Sequence, residues 1–346
     1  MIYKKLTSLF YIFLLMIAGL SCSDLLIASD NTQTYLKEFD QTWDFVNTVY
    51  PYFNLKDVDW DDVYAIYRPK VDNQKGDEFY NLLINMLAEL KDGHIYIKTP
   101  GGQKISVFTP PRKIKDQYAY NPLVVRNYFD QDLFVTAVGG MEYGITKNNI
   151  GYIYISSFGS AGNFIGSFQG AMNSIRNTDG LILDVRHNRG GDGVNANYVV
   201  SRFIVEPLIS LDSYVLGEKT DSSSIQPSVQ YGYFNPVIVL INGVSYSAAE
   251  SFAEMMKQVE NVTVIGDTTG GGSAGYYSNN FPASGNLDLS NGILVHVGTM
   301  DIRRYDGLPF EGIGISPDIL IKQSEDDILS GHDLQLEAAI ELLNKY

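Results

Sequence analysis

The chain has 346 residues, of which 45% are apolar, and it carries a formal net charge of −15. Its length and its 17 Phe and 24 Tyr are sufficient for a large buried core, in one large domain or two smaller ones. The acidic surface argues against nucleic acid as a partner, because phosphate binding requires clustered Lys and Arg. The composition leaves peptides and sugars open as ligands.

The N-terminus predicts an export signal. Lys4 and Lys5 precede an apolar run over residues 9–20, which is too short for a comfortable membrane span. Cys22, the only cysteine, follows this run directly and resembles the lipid-modified cysteine of bacterial lipoproteins. We therefore expect residues 1–21 to be a signal peptide and Cys22 to carry a lipid anchor. The expected location is the cell envelope of a Gram-negative bacterium, at the outer membrane. The alternative is an ordinary cleaved signal that contains a cysteine.

Residues 22–98 predict a helical N-terminal domain. Apolar residues recur at helical spacing over residues 36–50, 60–67 and 79–90, and the last of these helices should stop at Asp92 and Gly93. Residues 94–98 then alternate as a strand does. The aromatic-rich residues 99–148 form a connecting segment with short strand-like pieces.

Residues 149–346 predict an α/β domain with mostly parallel strands. Apolar runs alternate with helical patterns, which is typical of such a core. Functional residues of these folds gather at the carboxyl ends of strands. The predicted strands lie at 150–158, 180–186, 236–242, 262–266, near 287 and at 294–297, and the predicted helices at 162–176, 194–204, 248–259 and 325–343.

Ser247 lies where the buried strand 236–242 turns into a helix. Backbone N–H groups at a helix start have no intrahelical partner, so an oxyanion formed beside Ser247 would find donors there. Ser247 could equally be a simple helix cap. The glycine motif Asp184–Gly193 follows another buried strand, and the N–H of Gly190 or Gly191 could join that of Ala248 as oxyanion donors.

A serine nucleophile needs a base, and histidine is the usual one. Four histidines are present, of which His94 sits at a helix-to-strand turn and His187 lies inside the glycine motif as the competing candidate. Glu311, in a glycine-rich turn, could orient the imidazole as the third member of a triad. One cysteine and four scattered histidines give no metal-ligand cluster, so no metal or other cofactor is expected.

Taken together, four motifs in order resemble the S41 peptidases, the family of the C-terminal processing peptidases and the tricorn core. They are LKDGH at 90–94, DVRHNRGG at 184–191, NGVSYSAAE at 242–250 and EGIGISPD at 311–318. The resemblance implies a crotonase-like ββα superhelix as the catalytic core. It implies Ser247 as nucleophile and Ser245 as a neighbour, with a protein or peptide as the substrate.

Two departures from the family pattern matter. Processing peptidases of the bacterial type use a Ser–Lys dyad, but the loop 266–275 contains no lysine, and the lysine's place falls near Gly272. The tricorn-like branch uses histidine and glutamate, which His94 and Glu311 match. The interval between His94 and the strand at 150 is also too short for a PDZ domain, which places C-terminal substrate selection in doubt.

The resulting hypothesis is an envelope-anchored serine endopeptidase with a Ser247–His94–Glu311 triad. Three alternatives stay open at this stage. They are a non-catalytic relative that binds peptides or apolar ligands, an acyl-CoA enzyme of the crotonase type, and an esterase. Export away from coenzyme A disfavours the second, and the missing Gly-x-Ser-x-Gly elbow disfavours the third. The sequence does not fix the oligomeric state.

Overall fold

The computed structural model describes residues 32–74, 76–129, 134–137, 140–159, 162–220, 224–228, 232–275, 285–290 and 292–346, so the predicted signal segment and Cys22 lie outside the described residues. The helices are α1 (Thr32–Val49), α2 (Phe53–Lys56), α3 (Trp60–Tyr67), a 3-10 helix (Arg68–Asn73), α4 (Asp77–Ala88), α5 (Pro111–Lys115), α6 (Pro122–Arg126), α7 (Phe164–Ile175), α8 (Gly193–Val200), α9 (Ala248–Met256), α10 (Glu325–Leu329) and α11 (Leu334–Leu343). The strands are β1 (Tyr96–Lys98), β2 (Lys104–Ser106), β3 (Val135–Ala137), β4 (Met141–Ile145), β5 (Ile150–Ile155), β6 (Gly180–Asp184), β7 (Leu208–Ile209), β8 (Asp212–Val215), β9 (Glu218–Lys219), β10 (Ser224–Ile225), β11 (Val237–Ile241), β12 (Val262–Gly266), β13 (Ala274–Gly275), β14 (Asn286–Asp288), β15 (Leu294–His296), β16 (Met300–Arg303) and β17 (Ile319–Leu320).

The largest sheet among the described residues has seven strands. Its strand order is β17-β12-β11-β6-β5-β4-β3, with parallel pairing from β17 to β5 and antiparallel pairing at the β4 and β3 edge. All five residues of β6 and of β11 are buried. This agrees with the α/β class and the mostly parallel pairing predicted from the sequence, because parallel strands covered on both faces read as continuous apolar runs.

Alternate residues of the buried strands face opposite helical layers. Leu181 and Leu183 join the core that contains α7, α8 and α9, whereas Ile182 joins the core that contains α11. The period of two along a strand produces this division, since successive side chains point to opposite faces. The carboxyl ends of β6 and β11 are neighbours, so the glycine motif and the Ser247 turn emerge side by side.

The N-terminal region is helical, as predicted, and it packs on a second sheet. Apolar residues of α1, α3 and α4 share one buried cluster with residues of β1 and β15. That sheet has the order β14-β15-β1-β2, so a strand from the N-terminal region pairs directly with residues 294–296. The turn before β1, which carries His94, is thereby fixed against the C-terminal half of the chain.

One predicted helix is wrong in extent. The sequence predicts a single helix over residues 325–343, but the structure has α10 and α11 separated by residues 330–333. Gly331 adopts a φ of 88°, which a helix cannot accommodate, and the Asp333 side chain accepts a hydrogen bond from Leu336 N–H as the cap of α11. The apolar residues of α10 and α11 keep a helical spacing across the four-residue break, so the sequence resembles one continuous helix.

Candidate active site

Ser247 occupies a strained position at the start of α9. Its φ is 58° and its ψ is −123°, whereas an ordinary N-cap residue has extended dihedral angles. Non-glycine residues in such regions cost about 1–3 kcal/mol and cluster at functional sites. The strained backbone of this partly buried serine therefore favours a functional role in addition to its place at the start of the helix. Ser245 has a different environment, since its buried hydroxyl donates to Val185 O at 2.9 Å and accepts from Asn242 N–H at 3.1 Å.

Glu250 fixes the Ser247 turn to the glycine-rich loop after β12. Its carboxylate is fully buried and accepts four hydrogen bonds. The donors are Ser247 N–H at 3.0 Å, Thr269 Oγ1 at 2.6 Å, Gly271 N–H at 2.8 Å and Gly272 N–H at 2.7 Å. Because four donors from two segments converge on one side chain, the loop and the Ser247 turn hold a single relative geometry.

The ring of Tyr246 fills the space that a lysine at Gly272 would need. A Cβ atom at Gly272 would lie 2.0 Å from Tyr246 Cζ and 2.3 Å from its hydroxyl oxygen. Tyr246 is buried, and the His94 ring stacks on it with 4.7 Å between centroids and an interplanar angle of 26°. The Tyr246 ring, which stacks on His94, therefore occupies the space next to Gly272.

His94 lies beside two buried carboxylates. Its Nδ1 is 3.5 Å from Asp92 Oδ1, and the ligand-type atoms of His94, Asp92 and Glu311 all lie within 4.8 Å of one another. Asp92 Oδ1 also accepts the backbone N–H of His94 at 2.7 Å. Both ring nitrogens of His94 are buried and have no hydrogen-bond partner among the described residues.

Glu311 belongs to an ion pair that sequence reasoning missed. Its Oε1 accepts from Lys56 Nζ at 2.7 Å and its Oε2 from Ser273 N–H at 2.7 Å, and both partners of the ion pair are almost completely buried. Burial, together with the negative charge of Asp92, raises the pKa of Glu311 to about 7, although Lys56 and His94 oppose the rise. Burial acts in the same direction on Asp92, but the nearby imidazole and the backbone N–H of His94 hold the pKa of Asp92 below its usual value.

The same three side chains could in principle hold a metal ion. Each of Asp92, His94 and Glu311 offers one ligand atom within the 4.8 Å cluster. However, the Lys56 ammonium already occupies Glu311 Oε1, and the Tyr50 hydroxyl donates to Asp92 Oδ2 at 3.1 Å. A divalent cation would have to displace a lysine from a buried carboxylate, which disfavours metal binding here. The absence of a metal stays an expectation.

The glycine motif closes the other side of the Ser247 turn. A Cβ atom at Gly190 would lie 2.7 Å from Ser247 Cβ and 3.1 Å from Ala248 N, so only glycine fits. The Gly190 N–H is already used, because it donates to Asn188 Oδ1 at 2.9 Å. The N–H groups of Gly191 and Ala248, by contrast, have no acceptor within the part of the chain that the structure describes. Of the two glycines predicted for an oxyanion site, Gly191 is therefore the better donor.

The other three histidines are used elsewhere. His187 Nε2 lies 3.1 Å from the Asp116 carbonyl oxygen, and its ring contacts Tyr120. His296 Nδ1 lies 2.7 Å from Asn286 Oδ1, and burial lowers the pKa of His296 to about 4. His332 is exposed beside Glu337. Among the histidines, His94 alone lies with the two carboxylates.

Comparison with known proteins identifies the family. A model of peptidase family S41 matches residues 149–321, half of the chain, and a model of the tricorn protease C1 domain matches residues 32–88. This chain belongs to peptidase family S41. The family membership confirms the resemblance inferred from the four sequence motifs.

Individual relatives agree with this S41 membership. A solved structure from Parabacteroides merdae, described as that of a peptidase, is 30% identical in sequence and superimposes with a TM-score of 0.76. The match covers 91% of this chain and 97% of that one. Tricorn protease of Thermoplasma acidophilum is 27% identical over 57% of this chain. The carboxyl-terminal-processing protease of a Synechocystis species is 27% identical over 56% of it. The matches cover only 17% and 44% of these two curated relatives.

Proposed function

We propose that this S41 family member is a serine endopeptidase that acts through an acyl-enzyme at Ser247. The observation that carries the proposal is the strained Ser247 backbone beside Tyr246, on whose ring the imidazole of His94 is stacked. Backbone strain of this kind clusters at functional sites. The finer description of the core as a crotonase-like ββα superhelix, and the domain limits given above, belong to the same proposal.

His94 acts as general base in the proposed reaction. It takes the Ser247 proton as the hydroxyl attacks the scissile carbonyl, and it returns that proton to the leaving amine. The enclosed, unpartnered ring nitrogens of His94 support this role. No hydrogen bond joins His94 to Ser247 in the unliganded site, so the proposal requires the imidazole to reorient towards the hydroxyl when substrate binds.

Asp92 and Glu311 divide the task of supporting His94. Asp92 lies nearest to Nδ1 and has a pKa below its usual value, so it supplies the negative charge that stabilises the imidazolium. Glu311, held by Lys56 and Ser273, adds a second carboxylate to the cluster. The oxyanion of the tetrahedral intermediate is bound by the N–H groups of Gly191 and Ala248, and one such donor contributes about 3 kcal/mol.

Peptide rather than ester hydrolysis is the expected main activity. The test compares casein and a short-chain nitrophenyl ester at equal concentrations of the wild-type protein. We expect time-dependent production of new amino termini from casein, because the site provides a proton donor for an amine leaving group. Rapid ester turnover with no cleavage of casein or of a peptide mixture would overturn the assignment in favour of an esterase. The absence of both activities from the folded protein would favour the binding-protein alternative.

Removal of Lys56 is expected to move the acidic limb of the pH profile to higher pH. The Lys56 ammonium lowers the pKa of Glu311, which burial raises to about 7. If activity requires the ionised Glu311 carboxylate, it should increase as the pH rises through about 7. In Lys56→Met the midpoint should move upward by about one to two pH units. The measurement is kcat/KM from about pH 5 to 9.

The matched control for that measurement is Lys70→Met. Lys70 belongs to the same helical region but lies over the Tyr67 ring, at 4.4 Å from the centroid, and not beside Glu311. Its pH profile should coincide with that of the wild type. An unchanged midpoint in Lys56→Met would show that Glu311 takes no part in the titration that controls activity.

We also propose that the protein is anchored to the cell envelope through a lipid on Cys22. The proposal rests on the basic start and apolar run before the lone cysteine. Among the described residues no helix is long and apolar enough to cross a membrane. Incorporation of labelled palmitate that disappears in Cys22→Ser would support the anchor, and equal labelling of both proteins would contradict it.

A further inference from the structure

Two basic side chains next to the Ser247 turn lack a negative partner. Lys113 Nζ lies 3.7 Å from the centroid of Tyr246, the residue before Ser247. Arg189 is exposed and immediately precedes Gly190, at which a Cβ atom would lie 2.7 Å from Ser247 Cβ. Neither Lys113 nor Arg189 has a carboxylate within hydrogen-bond reach in the described ranges. In a chain with a net charge of −15, such cations require an explanation.

The position of Lys113 is fixed by anchors on both sides of it in the chain. A Cβ atom at Gly243 would lie 2.5 Å from Arg112 O, so the backbone of α5 touches the turn that leads to Ser247. After α5, Asp116 accepts the Gly243 N–H at 2.7 Å, and Lys115 pairs with Asp267 at 2.7 Å. The backbone at Lys113 is therefore fixed beside the turn that leads to Ser247, and the side chain reaches the Tyr246 ring from there.

The two cations also act on each other. Burial, followed by the positive charge of Arg189, lowers the pKa of Lys113 to about 8. Glu250 is the anion that opposes this effect, but four hydrogen bonds from backbone and hydroxyl groups already saturate its carboxylate. A ligand carboxylate placed between Lys113 and Arg189 would relieve the repulsion and gain charge-assisted hydrogen bonds.

We propose that Lys113 and Arg189 form a subsite that binds a carboxylate of the peptide substrate close to the scissile bond. This inference rests on the proposed peptidase function. The carboxylate can come from an acidic side chain of the substrate or from its C-terminus. Lys113 lies in the connecting segment 99–148, so the segment that is too short for a PDZ domain supplies part of the substrate specificity.

The test uses fluorogenic decapeptides in matched pairs. The first set carries Glu or Gln at each position in turn with an amidated C-terminus, and the second carries a free or an amidated C-terminus with Gln throughout. We expect kcat/KM to be about tenfold higher for the carboxylate member of at least one pair. A preference in the first set identifies an acidic side chain, and a preference in the second identifies the C-terminus.

The variants decide whether this preference belongs to the proposed subsite. The ratio of the charged to the neutral peptide should fall towards one in Lys113→Gln and in Arg189→Gln. Lys70→Gln, which removes a lysine over a tyrosine ring far from Ser247, should keep the wild-type ratio. Equal cleavage of all pairs by the wild type, or an unchanged ratio in both subsite variants, would overturn the inference while leaving the peptidase function intact.

Binding provides a readout that does not depend on cleavage. Fluorescence anisotropy of the same labelled peptides with Ser247→Ala should show tighter binding of the carboxylate member, and Lys113→Gln in that background should remove the difference. If the wild type cleaves none of the peptides, the proposed function fails, and this binding comparison still judges the subsite. Equal affinities for both members of every pair would then reject it.

Discussion

Replacement of Ser247 by alanine is expected to lower kcat on casein or a peptide substrate by about a million-fold, which is the size of effect seen when a serine nucleophile is removed. Alanine has no hydroxyl to form the acyl-enzyme, so the loss should be in kcat and not in KM. The backbone should be retained, because alanine and serine tolerate the φ of 58° about equally and Glu250 still accepts the backbone N–H at residue 247. The thermal unfolding midpoint should therefore stay close to that of the wild type.

Ser251→Ala is the matched control for Ser247→Ala. Ser251 lies one turn further along α9 and is partly buried, as Ser247 is. Its kcat should remain within a few-fold of the wild-type value. Residual activity of Ser247→Ala above about a thousandth of the wild type would indicate another nucleophile. Equal losses in both variants would point to damage of α9 instead.

Arg186→Met is expected to reduce the free energy of unfolding by about 3–5 kcal/mol. The guanidinium is completely buried and pairs with Asp184 and Asp333, each at 2.7 Å. Methionine fills similar volume but leaves two buried carboxylates without a positive partner. Urea unfolding of the wild type and the variant at neutral pH measures the difference.

A partly exposed ion pair provides the control for Arg186→Met. Arg68→Met, which removes a partly exposed pair with Asp40, should cost no more than about 1 kcal/mol. Equal losses in the two variants would contradict this description of the Arg186 cluster.

Much of the fold was predictable because the apolar residues recur at the spacing of a helix or of a strand. The helix over residues 60–67 and the strand over residues 262–266 coincide with α3 and β12. The parallel sheet follows from apolar runs that alternate with amphipathic helices. The break between α10 and α11 was not predictable from periodicity, since it depends on one glycine with a positive φ and one capping aspartate.

The candidate site was predictable where it lies in short motifs and not where it depends on distant packing. Ser247, His94 and the glycines occur in local patterns at strand ends. Lys56 is 255 residues from Glu311 in the chain, and no local pattern connects them. Asp92 stands two residues before His94, so the motif at 90–94 contained a carboxylate to which the sequence analysis assigned only the end of a helix. The replacement of a lysine at Gly272 by the ring of Tyr246 is visible only when the side chains are placed.

The most direct test of the central claim is labelling of the folded protein with a fluorophosphonate, followed by mass spectrometry of the modified peptide. We expect one adduct, on Ser247, in the wild type and in His187→Ala. In the wild type, His187 is hydrogen-bonded to the Asp116 carbonyl and is not expected to act as the base. The adduct should disappear in His94→Ala, because an unactivated serine reacts too slowly. No adduct with either a small or a bulky probe, or an adduct that persists without His94, would contradict the assignment of Ser247 and His94 as nucleophile and base.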